Sequence, residues 1–258
     1  MRLMKRILSA AAVLALSASL LVGCSSGTAS SVPVSASSAA ESTVSSVEET
    51  ASSAVDENEA AAAQLLNDLT GSYQELWPVI LADEYKQTWL DDCTALVGED
   101  NAEAAFEKLS SMVTGDVYGE DAVKAYANGG GAYFCGFTNS LAILTFDGET
   151  STISGTDKDG NVLFSHTYHY IGMEPVRGLY EFQSDDADSG EFTYFFLAPD
   201  TSAETYHIEF RYGSDAEALS QYDTGEYAYW RASGISTDCD QTMIDNCIEL
   251  FCTENLAG

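Results

Sequence analysis

An antiparallel β-meander closed into a barrel, with helices before and after it, is the fold that this 258-residue sequence predicts. Two observations lead there. The apolar residues follow a helical period up to about residue 127, then switch to strict alternation after Gly129-Gly130-Gly131. Seven short alternating runs follow in succession, separated by hairpin-type turns, and a meander of that length commonly closes on itself, which removes its free edges.

The chain opens with Met-Arg-Leu-Met-Lys-Arg, continues through an apolar stretch over residues 7–22, and reaches Leu21-Val22-Gly23-Cys24. A basic start, an apolar middle and small residues before a break are the three regions of a secretory leader, assigned to residues 1–23. The tetrapeptide resembles the lipobox of bacterial lipoproteins, which implies lipidation of Cys24 and an extracytoplasmic chain anchored at the outer face of the cell membrane. The apolar run is short and broken by Ser9, Ser17 and Ser19, which argues against a spanning helix. Residues 24–60 are mostly Ser, Ala, Thr and Val with scattered Glu. They offer too little apolar surface to offset their ordering entropy and are expected to be a tether. Residues 61–258 suit one domain.

Within it, residues 59–69 are rich in Ala and Leu, with Gly71 as a stop signal. Helical patterning continues over 73–81, and Trp89 and Leu90 stand a few turns on. Residues 101–112 place Ala105, Leu109 and Met112 on one face, and 121–127 give a short further helix. Strands are expected at 132–137, 141–146, 150–155, 161–171, 178–183, 192–198 and 205–212. Thr138-Asn139, Asp147-Gly148, Asp159-Gly160 and Asp188-Ser189-Gly190 mark turns between them. The tail from Ser214 returns to helix. Thr237 or Asp238 is the expected cap of a segment through Cys252, whose apolar face is Met243, Ile244, Cys247, Ile248 and Phe251.

Ten basic residues stand against 41 acidic ones, for a net charge of −31. Loss of Arg2, Lys5 and Arg6 with the leader leaves seven basic residues and a charge of −34. Such a surface excludes nucleic acid, whose phosphates require basic contacts, and is repelled by anionic headgroups, so the lipid must hold it at the membrane. Cation capture and plain solubility both fit the acidity. Beyond Cys24, five cysteines remain: Cys93, Cys135, Cys239, Cys247 and Cys252. Their spacing fits no zinc finger and no C-x-x-C motif, and no pairing is assigned. Cys247 reads as a small buried hydrophobe.

The chain has three histidines, His166, His169 and His207, and none stands in a nucleophile motif. There is no G-x-S-x-G, P-loop or H-E-x-x-H, so an enzyme is not expected. The sharpest local feature is Tyr206-His207-Ile208-Glu209-Phe210-Arg211-Tyr212-Gly213. Alternation puts Tyr206, Ile208, Phe210 and Tyr212 on one face and His207, Glu209 and Arg211 on the other. Residues two apart lie about 7 Å from each other on one face, so His207 and Glu209 could reach a single ion. A solvated polar face, with Arg211 pairing Glu209, fits the same pattern.

Leu69-Thr70-Gly71-Ser72-Tyr73-Gln74-Glu75-Leu76-Trp77-Pro78 resembles the opening of the ZinT/AdcA zinc-binding domain. That opening is a W-x-G-x-W-type segment followed by a short helix ending in Tyr-Pro. Arg177-Gly178-Leu179-Tyr180-Glu181-Phe182 is similar to the R-Y-L-F-E strand of that family. Phe192-Thr193-Tyr194-Phe195-Phe196-Leu197-Ala198-Pro199 resembles its F-S-D-H-x-I-A-P strand, and His207 to Gly213 its H-F-H-x-x-x-G strand. The resemblance implies a lipocalin-like (calycin) barrel with N- and C-terminal helices. It also implies a periplasmic or surface zinc-binding protein that supports zinc uptake by an ABC importer; the chain is expected to be a monomer.

The family's three zinc-binding histidines fall on Phe195, His207 and Glu209, which leaves a His/Glu site. His169 or His166 is the available further imidazole; three apart on a strand, they face opposite sides. The family's paired cysteines fall on Ser154 and Phe182, so that disulfide is absent as a pair. The other reading is a lipocalin-like module whose metal site has decayed and whose Tyr- and Phe-rich barrel binds a small organic ligand or a protein partner.

Overall fold

The computed structural model describes residues 57–257. The leader, Cys24 and most of the expected tether lie outside the described residues. Helix α1 spans 57–68, so it already includes the last four positions assigned to the tether. Eight strands follow with seven further helices. They are β1 (Gly71–Glu75), α2 (Leu76–Ile80), α3 (Lys86–Val97), α4 (Glu99–Val113), α5 (Glu120–Ala127), β2 (Ile143–Asp147), β3 (Thr152–Thr156), β4 (Val162–Met173), β5 (Tyr180–Ser184), β6 (Tyr194–Leu197), α6 (Ser202–Thr205), β7 (Ile208–Gly213), α7 (Ala216–Leu219), β8 (Ala232–Ser236) and α8 (Gln241–Leu256).

The strands form a closed up-and-down barrel in which each pairs antiparallel with its successor. Pairing of β8 with β1, through Tyr73↔Ser236 and Gln74↔Ile235, closes the ring. The lipocalin-like architecture with helices on both sides is therefore present, with two differences in which residues build it. Residues 132–137 form no strand: Phe134 makes only isolated bridges, to Thr114 and Trp230. The barrel instead uses Gly71–Glu75, where Gly71 was expected to stop a helix and helical patterning to resume at Tyr73, and Ala232–Ser236, expected within the helical tail. Register breaks at Gly155/Thr156 and Tyr170/Gly172 bend the long strand β4 around the wall.

Aromatic side chains fill the interior. Phe195 packs on Tyr212 (centroids 5.3 Å), Phe164 and Tyr168, and Phe164 stacks on Phe192 at 3.9 Å. Tyr73, Phe146, Phe182, Phe210 and Trp230 complete the same core. The abundant Tyr and Phe thus pack against one another and do not line a ligand chamber, as the organic-ligand reading expected. Leu144 and Phe146 take the inward positions of β2, and Ile143 faces outward.

A second core lies between the outer barrel wall and the helices. Trp77, Ile80, Trp89, Cys93, Leu109, Ile235, Ile244, Cys247, Ile248 and Cys252 form it. Phe251 packs edge-on against Trp77 at 4.8 Å and Trp89 at 6.0 Å. The cap of α8 is Asp240, not Thr237 or Asp238: its carboxylate accepts from the Met243 N–H at 2.9 Å. Among the described residues no helix is long and apolar enough to cross a membrane.

Candidate metal centre

Strand β7 divides its side chains as alternation requires. Ile208, Phe210 and Tyr212 enter the barrel core, while Glu209 and Arg211 face outward. Just upstream, Tyr206 adopts a left-handed conformation at φ 67° at the end of α6 and turns the chain into the strand. That turn delivers His207 to the outer wall. The His207 Nδ1–H donates to the Thr205 carbonyl at 2.7 Å, and the Thr205 hydroxyl donates back to the His207 carbonyl at 2.7 Å. A carbonyl can only accept, so the contact fixes the Nδ1–H tautomer when the ring is neutral and leaves the Nε2 lone pair free. Metal-binding imidazoles are commonly oriented in this way.

The ring lines a cavity of about 120 Å³ between the wall and helix α8. Leu76, Trp77 and Ile80 form one side, and Cys247, Leu250, Phe251 and Glu254 the other. Asp200 and Glu209 complete the rim, so every charged side chain lining the cavity is acidic. Glu209 is already engaged, with Arg231 Nη2 lying 2.6 Å from its Oε2. Arg211, the expected partner of Glu209, is fully buried elsewhere. It donates to the carbonyls of Leu219, Gln221 and Tyr227 and stacks on Tyr222 at 4.3 Å. Arg211 thereby staples the 214–231 segment to the barrel. Cys247 Sγ lies 3.9 Å from His207 Nδ1, but burial pushes its thiol up to about 12.

The other candidate residues lie elsewhere. His169 sits on the outer face of β4, with Nδ1 2.6 Å from Asp185 Oδ1, and strands β5 and β6 separate it from β7. It borders a different depression, with Glu59, Leu66, Ser151 and Tyr170, and so cannot complete a site with His207. His166 faces the opposite way, as spacing required: its ring packs beside Phe164, and Nδ1 is 2.7 Å from Asp186. Phe195, paired with Tyr212, is inside the barrel, whereas His207 and Glu209 are outside. The expected grouping of Phe195, His207 and Glu209 at one point is therefore not formed.

Among the described residues, no three His, Cys, Asp or Glu side chains stand together in a ligating cluster. The donor set does not fit a closed four-ligand zinc site. The cavity brings one oriented imidazole, His207, together with the carboxylates Asp200 and Glu254 in its lining. Those two carboxylates and Arg231 were not found from sequence, because nothing local links residues 200, 231 and 254 to 207.

No family model matches the chain, and no curated protein matches it. By fold the protein is a lipocalin-like barrel with flanking helices. Among solved structures it is similar to the Zn(II)-bound ZinT-like domain of Streptococcus pneumoniae AdcA, at 15% identity and a TM-score of 0.45. That match covers 72% of this chain and 89% of the other. It is also similar to Zn(II)-bound AdcA from Streptococcus pneumoniae, at 14% identity and a TM-score of 0.42, covering 75% of this chain and 35% of that one. At these values the likeness does not say what this chain binds.

Proposed function

We propose that this protein is an extracytoplasmic binding module, anchored through Cys24, that captures a divalent cation of the zinc class weakly and reversibly. The observation carrying this reading is the imidazole of His207, locked by the Thr205 carbonyl with its second nitrogen free beside an acidic cavity. His207 supplies the nitrogen ligand and Asp200 or Glu254 the oxygen ligand. Glu209 joins only when it leaves Arg231. A bound ion would partly neutralise the carboxylates and would exchange readily, as delivery to an ABC importer requires. The role proposed is binding.

Zinc titration of the purified full chain against a chromophoric chelator tests this. About one ion per chain with an affinity on the order of 1–100 µM, roughly −5 to −8 kcal/mol, is expected. Saturation should raise the melting temperature. Many weak sites with no melting shift would mean that the acidic surface alone collects the ion.

A second reading has its own observation. An apolar depression of about 310 Å³ outside the barrel, lined by Trp77, Pro78, Leu81, Val113 and Phe134, could take a small organic ligand. A hydrophobic dye displaced by neither zinc nor His207→Ala would favour it.

A further inference from the structure

We propose that Cys93 and Cys252 form a disulfide that fastens helix α8 to helix α3. Their sulfurs lie 3.9 Å apart across 159 residues of sequence, and both side chains are fully buried where the two helices pack. A disulfide requires about 2.05 Å between sulfurs, so the two must approach further for the bond to form. No comparable thiol pair exists among the described residues. Cys135 Sγ lies 3.9 Å from the Tyr133 carbonyl, and Cys247 Sγ 3.9 Å from the His207 ring.

The chemistry is thiol–disulfide exchange with an external disulfide, either a small-molecule one or that of an exported oxidoreductase. One cysteine thiolate attacks the external disulfide and expels a thiolate. The second cysteine then attacks the mixed disulfide and expels the other. Two protein thiols are oxidised, the external disulfide is reduced to two thiols, and two protons are released and taken up by the leaving thiolates. Burial raises both Cys93 and Cys252 above the ordinary thiol range, which makes them slow to react once folded. Closure therefore belongs to the folding step in which α8 docks. Because α8 supplies Cys247, Phe251 and Glu254 to the cavity beside His207, the bond would hold that wall in place.

Formation of the bond in cells rests on the extracytoplasmic reading; formation in vitro does not. The test takes the full chain, reduced and unfolded in urea, and refolds it in a buffer of oxidised and reduced glutathione. Peptide mapping without reduction should find one linked pair, Cys93–Cys252. The linked protein should melt on the order of 5–10 °C higher than its reduced form. Cys93→Ala and Cys252→Ala should each abolish the link and the redox-dependent shift. Cys239→Ala and Cys247→Ala should keep both.

Alkylation of Cys93 and Cys252 as free thiols after refolding, or pairing of either with another cysteine, would overturn the proposal. The same map on protein taken directly from cells separates the two readings. A link there supports both. A link formed in vitro but absent in cells supports the pair and counts against export.

Discussion

Arg231 Nη2 lies 2.6 Å from Glu209 Oε2, and this ion pair decides how much of the acidic cavity is available to a cation. The carboxylate two residues from His207 is the obvious second ligand, yet a guanidinium from the edge of β8 already neutralises it. Both side chains are only about a quarter to a third exposed, at 24% and 32%, so the pair is modestly protected from solvent. Its contribution to stability is on the order of 1 kcal/mol or less. Arg231→Gln should therefore lower stability slightly and tighten zinc about three- to tenfold. Calorimetry on the variant checks this, and weaker binding would mean that Arg231 orients Glu209 as a ligand.

Phe195 is the position on which the first of the three family histidines falls. It is fully buried inside the barrel against Phe164, Tyr168 and Tyr212. Phe195→His should destabilise the protein by at least about 3 kcal/mol, because an imidazole there loses aromatic packing and finds no polar partner. It should leave zinc affinity unchanged wherever the variant folds. Urea denaturation with a parallel zinc titration separates the two effects, and a gain in affinity would show that the inner and outer faces are exchanged.

Burial pushes the thiols of Cys135 and Cys247 up from the ordinary 9.0 to about 12. Above pH 9 the unfolded chain releases those protons while the folded chain keeps them. The unfolded state then binds fewer protons, and stability falls as pH rises from 9 toward 12. The slope is about 1.4 kcal/mol per pH unit for each such thiol. At pH 8.5 the half-buried Cys239 should react with iodoacetamide well before Cys135 or Cys247. Labelling of Cys247 at the rate of Cys239 would show that helix α8 opens away from the wall.

Much of this architecture is legible in the sequence because it is written in local periods. Six of the seven expected strands are present within a few residues, and the α8 face of Ile244, Cys247 and Ile248 packs as its spacing indicates. The two missed strands, Gly-Ser-Tyr-Gln-Glu and Ala-Ser-Gly-Ile-Ser, carry small or polar residues and little apolar alternation. Their hydrogen-bond partners, β2, β7 and each other, specify them. The false strand at 132–137 shows the converse, since an alternating run that finds no strand partner remains a loop. At the site, alternation correctly placed His207 and Glu209 together on one face. Motif spacing could not reveal that Phe195 faces the other way, nor that Arg231 and not Arg211 reaches Glu209. Both are facts of strand pairing and tertiary contact.

The central claim is that one oriented imidazole, His207, holds the cation. Isothermal titration calorimetry of zinc into the full chain at neutral pH, for the wild type, His207→Ala and His169→Ala, tests it most directly. The account predicts one micromolar-class site in the wild type, unchanged by His169→Ala and weakened at least tenfold by His207→Ala. Acidification should also release the ion, because protons compete for the same nitrogen. Binding that survives His207→Ala intact, or that disappears with His169→Ala, would contradict it.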